Sequence, residues 1–565
     1  MMKRKKNEFL ALLCNLYIIA LLVALPLYTG GGYGQLGDKK YLLFRNISFF
    51  CLGIWLIAGM PGRLRAAVDW VRAFVTRKKR PGEGHGRFPF NWLDCAAAAY
   101  GACVLLSAVC SSYGKLAWTG YNEWYMGAVS QLLFVGIYFF VSRQYDGALW
   151  PLYLGEAALF IVTLLGLWHR LGIDPLGLMT GWTKKNWEYT HMLSTLGNIN
   201  WLCGYYSVAL SFLIVHFLRE ERRWLQVFLY IASVLSYVLL VVQGSQGGWL
   251  ILIVCTGGCV LLGRKRMEIL KKTALLLTGF FLCMPLMELL LWLRGDRAAM
   301  PADGNIYAYV PWFVWLIAGG GCLLPAFLAD KAGRSAAEKL YKENRAAAKG
   351  RAQAEASAAE NGETERKAAV KKRQGLKRTL TFGSILIGLL IAFFIFCRSV
   401  DDSFGSGRGF LWHISLEWLS EAGVKEKLIG AGPDCYGAAV FQSLGTGSDV
   451  WKGERWEYSV FTNAHNEFLN QLCNMGILGA AGYGAIFLVG LCLCWKCCRG
   501  GRRGEKEESR GSFYGWLGFL ALAMYGAHSL VSFQQVLNAP FLFLVLGLFG
   551  SSLREITWTC DVTEG

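Results

Sequence analysis

Charge is what this chain has least of. Only 17% of its 565 residues are Asp, Glu, Lys or Arg, against about 25% in an ordinary soluble protein, which argues against a cytosolic enzyme. Proline is scarce as well, with 12 residues and no Gly-X-Y period, so collagen-like sequence is excluded. Aromatics are not lacking, at 14%, and that excludes a disordered chain, which would be aromatic-poor and charge-rich. What is present instead is apolar material: 54% hydrophobic residues and a mean hydropathy of +0.36. The formal net charge of +18 would suggest nucleic acid on a soluble protein. Here the basic residues alternate with apolar runs of spanning length, and they read as the cytoplasmic marker of a polytopic membrane protein, with no nucleic-acid partner.

A helical span needs roughly 20 mostly apolar residues. Fourteen segments qualify: 9–29, 41–60, 92–112, 127–142, 148–168, 198–218, 225–243, 247–262, 273–293, 308–329, 379–397, 466–495, 513–533 and 538–554. The expected fold class is therefore all-α, a multi-pass helical membrane protein with about 12–14 transmembrane helices. With the N-terminal MKRKK placed inside, the inner segments hold about three times as many Lys and Arg as the outer ones, loop after loop. The N-terminus is expected in the cytoplasm, and the first span is expected to be a retained anchor because no small-residue cleavage site follows it.

Two hydrophilic insertions divide the chain. Residues 1–329 carry the N-terminal helices, residues 330–378 form a charged cytoplasmic linker rich in Ala, Lys, Arg and Glu, and residues 379–565 carry the C-terminal region. The last contains a long outer loop, 398–464, before the span that opens at residue 466. Within that loop Phe410, Ile414, Trp418 and Leu419 fall on one helical face, so the loop is expected to fold over the membrane surface. Eighteen cysteines lie mostly inside spans, where they behave as small hydrophobes. Only Cys435 falls in a clear outer loop, which does not support a disulfide framework. The cluster Cys492, Cys494, Cys497 and Cys498 lacks a second ligand pair and reads as packing.

The outer loop ends in NAHNEFLN, with His465 among Asn463, Asn466 and Glu467 at the mouth of a span. Histidine is the side chain best matched to proton transfer near neutral pH; at a span end it equally serves as an interfacial hydrogen-bonder. Arg408 follows the preceding span by about ten residues, within reach of lipid phosphates, which an arginine also meets by snorkelling. Asp401 and Asp402 read as a solvated acid pair, with a carboxylate base or metal ligands as the alternative. Glu156, Glu288 and His528 fall inside spans, where hydrogen bonds between helices explain them better than a transport relay.

Four blocks in order resemble the O-antigen ligase and polymerase superfamily of membrane glycosyltransferases. AHNEFLNQLCNMGILGAAGY resembles its His-Asn pair and Gly-Ile-Leu-Gly turn, and GRGFLWHISLEWLSEAGVKEKLIGAGPDCYG its Arg, Trp and Gly-x-Gly-Pro block. TLGNINWLCGYYSVALSF resembles its Gly-Asn-x-Asn segment. SQGGWLILIVCTGG resembles its Ser-Arg-Gly span, with Gln246 standing where relatives carry arginine.

The resemblance implies transfer of a glycan from a polyprenyl-diphosphate carrier to a saccharide, lipid or protein acceptor, on the outer face of the bacterial plasma membrane. The diphosphate is already a good leaving group, so neither metal nor cofactor is expected. The reaction needs a cation for the departing diphosphate and help in deprotonating the acceptor hydroxyl. Arg408 is the candidate for the first and His465 for the second, or for phosphate binding. Asn466 would orient, and Asn198 and Asn200 would bind sugar hydroxyls or cap the span that follows. Gln246 would lie at the diphosphate without charge, compensated by Lys184 and Lys185, or by Arg294 and Arg297. The alternatives are a multi-span transporter of a small solute or lipid-linked saccharide, and a non-catalytic relative in polysaccharide assembly.

The loop-charge bias fixes a topology that cysteine labelling checks. A reporter cysteine near residue 450 should be modified from outside the cell and one near residue 355 should not; the reverse pattern would overturn the assignment.

Overall fold

The structure, a computed structural model, describes residues 7–76, 91–183, 185–264, 266–300, 310–322, 399–445, 461–499 and 506–563. The 330–378 linker, the 379–397 span and residues 446–460 of the long loop lie outside the described residues. Fourteen main helices follow in chain order: α1 (Glu8–Leu27), α2 (Leu36–Thr76), α3 (Trp92–Cys110), α4 (Ala128–Gln144), α5 (Trp150–Arg170), α6 (Ile199–Arg219), α7 (Arg223–Val242), α8 (Gln246–Gly263), α9 (Met267–Arg294), α10 (Trp312–Cys322), α11 (Phe404–Glu421), α12 (Glu467–Arg499), α13 (Lys506–His528) and α14 (Ala539–Thr563). The one sheet among the described residues is an antiparallel pair, Met192–Leu193 with Gly197–Asn198. Nine of the described helices are long and apolar enough to cross a membrane, so the chain is an all-α, multi-pass membrane protein.

The helices sort by how far round they are apolar. In α6, 94% of the apolar window is buried, as expected of a helix that is hydrophobic on every side, and it runs through the centre. In α9 the figure is 33%, with Leu282, Leu286, Leu289 and Leu293 exposed, a face suited to lipid chains rather than water. Exposed Trp92, Trp224 and Trp292 stand at helix ends, where indole rings favour the headgroup level. The C-terminal helices do not stand apart: α12 packs on α3 and α13, α13 on α6 and α8, and α14 on α4.

Several polar groups inside this bundle are paired across helices, as hydrocarbon surroundings favour. Asp94 is fully buried. It completes a capping box with Asn91 at the start of α3 and accepts from Tyr138 Oη at 2.7 Å and Arg143 Nη1 at 2.8 Å on α4. Arg554 of α14 donates to its other oxygen. Glu156 on α5 meets His216 Nδ1 on α6 at 2.9 Å, an interhelical bond of the kind the sequence suggested. His216, which went unremarked there, also reaches Glu220 at 3.1 Å.

Residues 399–445 form a second unit at one end of the bundle, with its own core of Phe410, Leu411, Trp412, Ile414, Tyr436 and Phe441. Phe410 and Ile414 are buried, and Trp418 and Leu419 pack partly against them, so the helical face read from the sequence is the packed one. Cys435 is not on a loop surface but fully buried in this core. The cap is joined to α12 at a kink. Gly476 (φ 64°) breaks the helix, and the carbonyls of Cys473 and Asn474 accept from Ala431 N at 3.0 Å and Gly432 N at 2.8 Å. At Gly430 and Gly476 a side chain would strike the opposing backbone, which is why glycine stands at both. Two boundaries differ from the sequence expectation. The apolar stretch predicted at 41–60 belongs to a helix that starts earlier and continues to Thr76. The predicted 513–533 span ends at His528, and residues 529–538 unwind into a polar turn.

Asp94 joins three helices, so Asp94→Leu should leave two arginines without their shared acceptor. The expected cost is about 3 kcal/mol, toward the lower end for a buried ion pair because both arginines keep some exposure. Thermal unfolding in detergent checks it; a wild-type melting temperature would overturn the clasp.

Candidate functional site

The site is assembled where the cap meets the end of the bundle. Gly405, Ser406 and Gly407 all adopt positive φ (60°, 62° and 89°), a left-handed run that two glycines make feasible. It swings the chain so that Arg408 opens the regular part of α11. The Arg408 Nη1 donates to Gly405 O at 2.9 Å, while its Nε has no partner. No carboxylate pairs with this guanidinium among the described residues. Burial pushes its pKa down, yet a guanidinium stays charged throughout the physiological range.

Trp412, one turn on, donates from Nε1 to Ala464 O at 3.1 Å. This bond ties the arginine's helix to the residue before His465. His465 itself takes a left-handed backbone (φ 47°), rare for a histidine outside turns and sites, and Asn463 Oδ1 accepts its N–H at 3.1 Å. Its ring is half-buried, edge-on to Phe533 with centroids 5.1 Å apart and to Phe461 at 6.1 Å. Burial, then the positive Arg408 guanidinium, push the imidazole pKa down to about 3. His465 is therefore neutral at physiological pH and offers a lone pair. The charge of Arg408 acts on the His528 ring as well.

Asn466 is committed to architecture. Its Oδ1 accepts from Phe468 N at 3.1 Å and Leu469 N at 3.2 Å, and its Nδ2 donates to Leu530 O at 3.0 Å. It caps α12 and holds the 529–538 turn beside it. Asn198 Oδ1 accepts from Asn200 N at 2.8 Å and caps α6. Asn200 Oδ1 accepts from Ser245 Oγ at 2.7 Å, and Ser245 in turn caps α8. Gln246, the first residue of α8, is exposed. A Cβ added at the next residue, Gly247, would touch the His528 ring.

The four separated sequence blocks therefore converge. His528 lies beside the Gly247 turn and within range of the Arg408 charge, and Phe533 links His465 to Trp124, whose ring also meets Trp201 of α6 at 5.7 Å. Not every expected residue joins them. Lys185 is exposed on the segment between α5 and α6, and Lys184 lies outside the described residues. Arg294 donates its Nε to Leu171 O at 2.6 Å. Asp401 accepts from Ser403 Oγ at 2.6 Å and is exposed, while Asp402 meets His413 Nδ1 at 2.6 Å. Among the described residues no group of three or more His, Cys, Asp or Glu side chains is placed to hold a metal ion.

His528 was expected to be a helix-packing residue, and Phe533 and Trp124 carried no signal of their own. The cue available was the polar run Ser529, Ser532, Gln534, Gln535 and Asn538, which marks an unwound turn rather than the tail of a span. Neither the known family models nor the curated proteins compared with this chain give a match.

Asn466→Ala should remove the cap of α12 and loosen the 529–538 turn, costing about 1–2 kcal/mol, visible as a lowered melting temperature. Unchanged stability would mean that the cap contributes nothing to holding the site.

Proposed function

We propose that this chain is a membrane glycosyltransferase that moves a glycan from a polyprenyl-diphosphate carrier to an acceptor hydroxyl or amide on the outer face of a bacterial plasma membrane. In this reading it has about 12–14 spans, a cytoplasmic N-terminus, and the 398–464 loop outside. The observation that carries the proposal is Arg408: a charged guanidinium without a carboxylate partner, with a free Nε, set beside a neutral histidine at the start of a long helix. Such a fork suits the oxygens of a departing diphosphate, which it meets through two parallel hydrogen bonds.

The proposed step balances without a cofactor. The acceptor oxygen or nitrogen attacks the anomeric carbon, the bond from that carbon to the phosphate oxygen breaks, and the diphosphate leaves with the electron pair. The acceptor proton passes to the neutral imidazole of His465. An imidazole held near pKa 3 is a weak base, but an anionic diphosphate beside Arg408 offsets the positive charge that contributes to the shift. Donor binding then raises the basicity of His465 toward the range where proton transfer is efficient. Gln246, exposed at the head of α8, supplies a neutral hydrogen-bonding group on the same side. Asn200 and Ser245 position that head rather than meet the sugar.

Reconstitution in nanodiscs with a lipid-linked oligosaccharide and a panel of acceptors tests the reading. Arg408→Lys should be impaired through loss of the planar fork, and Arg408→Gln more so through loss of charge as well. His465→Ala should slow transfer by roughly 10²–10⁴-fold while expression stays near normal, and Gln246→Arg should be tolerated. Equal turnover by Arg408→Gln and wild type would sink the diphosphate clamp. Absence of transfer by wild type with every donor and acceptor would sink the enzymatic reading.

A further inference from the structure

Beneath the cap, along the first turns of α12, lies a small polar cavity that the transfer reading does not use. Its walls include Asp434, Glu467, Asn470, Gln471, Asn474 and Gln534. The free space is about 10 Å³, room for roughly one water or one ion of similar size. All six side chains are at least nine-tenths buried, and no Lys, Arg or His lines the space.

The donor and acceptor balance of this wall is lopsided. Asn470 Oδ1, Gln471 Oε1 and Asn474 Oδ1 have no hydrogen-bond partner. Gln471 cannot turn its amide round to relieve this, because its Nε2 donates to Glu467 Oε1. Glu467 Oε2 accepts from Gln534 N at 2.7 Å, and Asp434 Oδ2 accepts from Tyr121 N at 2.9 Å and Met126 N at 3.1 Å. Against three orphan carbonyl oxygens and two carboxylates, Gln534 Nε2 is the one fully buried donor of the wall without a partner. A single water has two hydrogens to give and leaves acceptors unsatisfied, at a cost of about 1–3 kcal/mol each. A bare cation is a partner for all of them at once.

We propose that this cavity binds a monovalent cation of the sodium class, held by Asn470, Gln471, Asn474, Asp434 and Glu467, and that the ion locks the cap and the 529–538 turn onto α12. Oxygen-only ligands select a hard ion over a transition metal. A divalent ion is disfavoured because the carboxylates are already engaged: Glu467 carries two hydrogen bonds and Asp434 two backbone N–H groups. Broken helices, with their unwound carbonyls and half-helix ends, are a common setting for sodium in membrane transporters, and α12 kinks at Gly476, two residues after Asn474.

The test uses the full chain in detergent, with thermal unfolding followed in NaCl, KCl, choline chloride and CaCl2 at matched ionic strength. Sodium should raise the melting temperature in a saturable way, by roughly 2–4 °C at about ten times its dissociation constant, and choline should not. Asn474→Ala and Asp434→Asn should abolish the sodium increment. If either variant fails to fold, the wild-type salt series alone decides. Equal shifts with choline and sodium, no shift with sodium, or a shift with calcium alone would each overturn the proposal, the first two leaving a water in the cavity.

Discussion

The arrangement at the cap depends on how Glu467 is held. Its side chain is fully buried, where a carboxylate without partners is costly by several kcal/mol. Two bonds answer that cost, from Gln471 to one oxygen and from Gln534 N to the other, and the backbone N–H of Glu467 is tied to Ser529 O at 2.8 Å. Two of these partners lie in the turn after α13. That turn must therefore stay close to the first residue of α12, and it carries Phe533 against His465 and His528 toward Arg408. One acid, satisfied by a loop more than sixty residues away in sequence, sets the relation between the two histidines.

The electrostatic character of the site follows from what surrounds it. Several charged residues in the bundle are neutralised locally, as Asp94 is by Arg143 and Arg554 and Glu220 by Arg222, while buried Lys40 donates to the carbonyls of Leu25 and Pro26. Arg408 has a carbonyl and no carboxylate for a partner among the described residues, and the rings of His465 and His528 feel its charge rather than balance it. An anion entering this end of the molecule meets one positive charge, two neutral rings and the capped start of α12, whose backbone dipole adds a modest attraction of its own.

Much of the fold was legible because a bilayer leaves few choices: about twenty apolar residues read as a span wherever they occur. Helix ends were less legible, since hydropathy marks where lipid stops and not where hydrogen bonding stops. The α2 helix continues past its apolar stretch to Thr76, and α13 stops at His528 although Leu530, Val531 and Phe533 follow. For the site, Arg408 and His465 were readable as residue types at the edges of spans, and their proximity was not, because it rests on contacts between segments far apart in sequence. Asn198 and Asn466 show the limit in another way. An Asn before a helix carries the same signal whether it binds a sugar or caps a backbone, and the caps themselves became visible only in the bonds at Asn200 N, Phe468 N and Leu469 N. Asp434 and the amides below it carried no pattern at all, being spread over a loop and one helix turn.

The bond from Arg408 Nη1 to Gly405 O has a bearing on affinity that goes beyond charge. A free arginine side chain loses about 1.5–2 kcal/mol of rotational freedom when it is fixed in one rotamer. Here the left-handed Gly405–Ser406–Gly407 turn places a carbonyl where it already holds one arm of the fork, so that loss falls on folding rather than on association. An anion that engages the remaining nitrogens meets a group in position, and its departure leaves the same group in place for the next encounter.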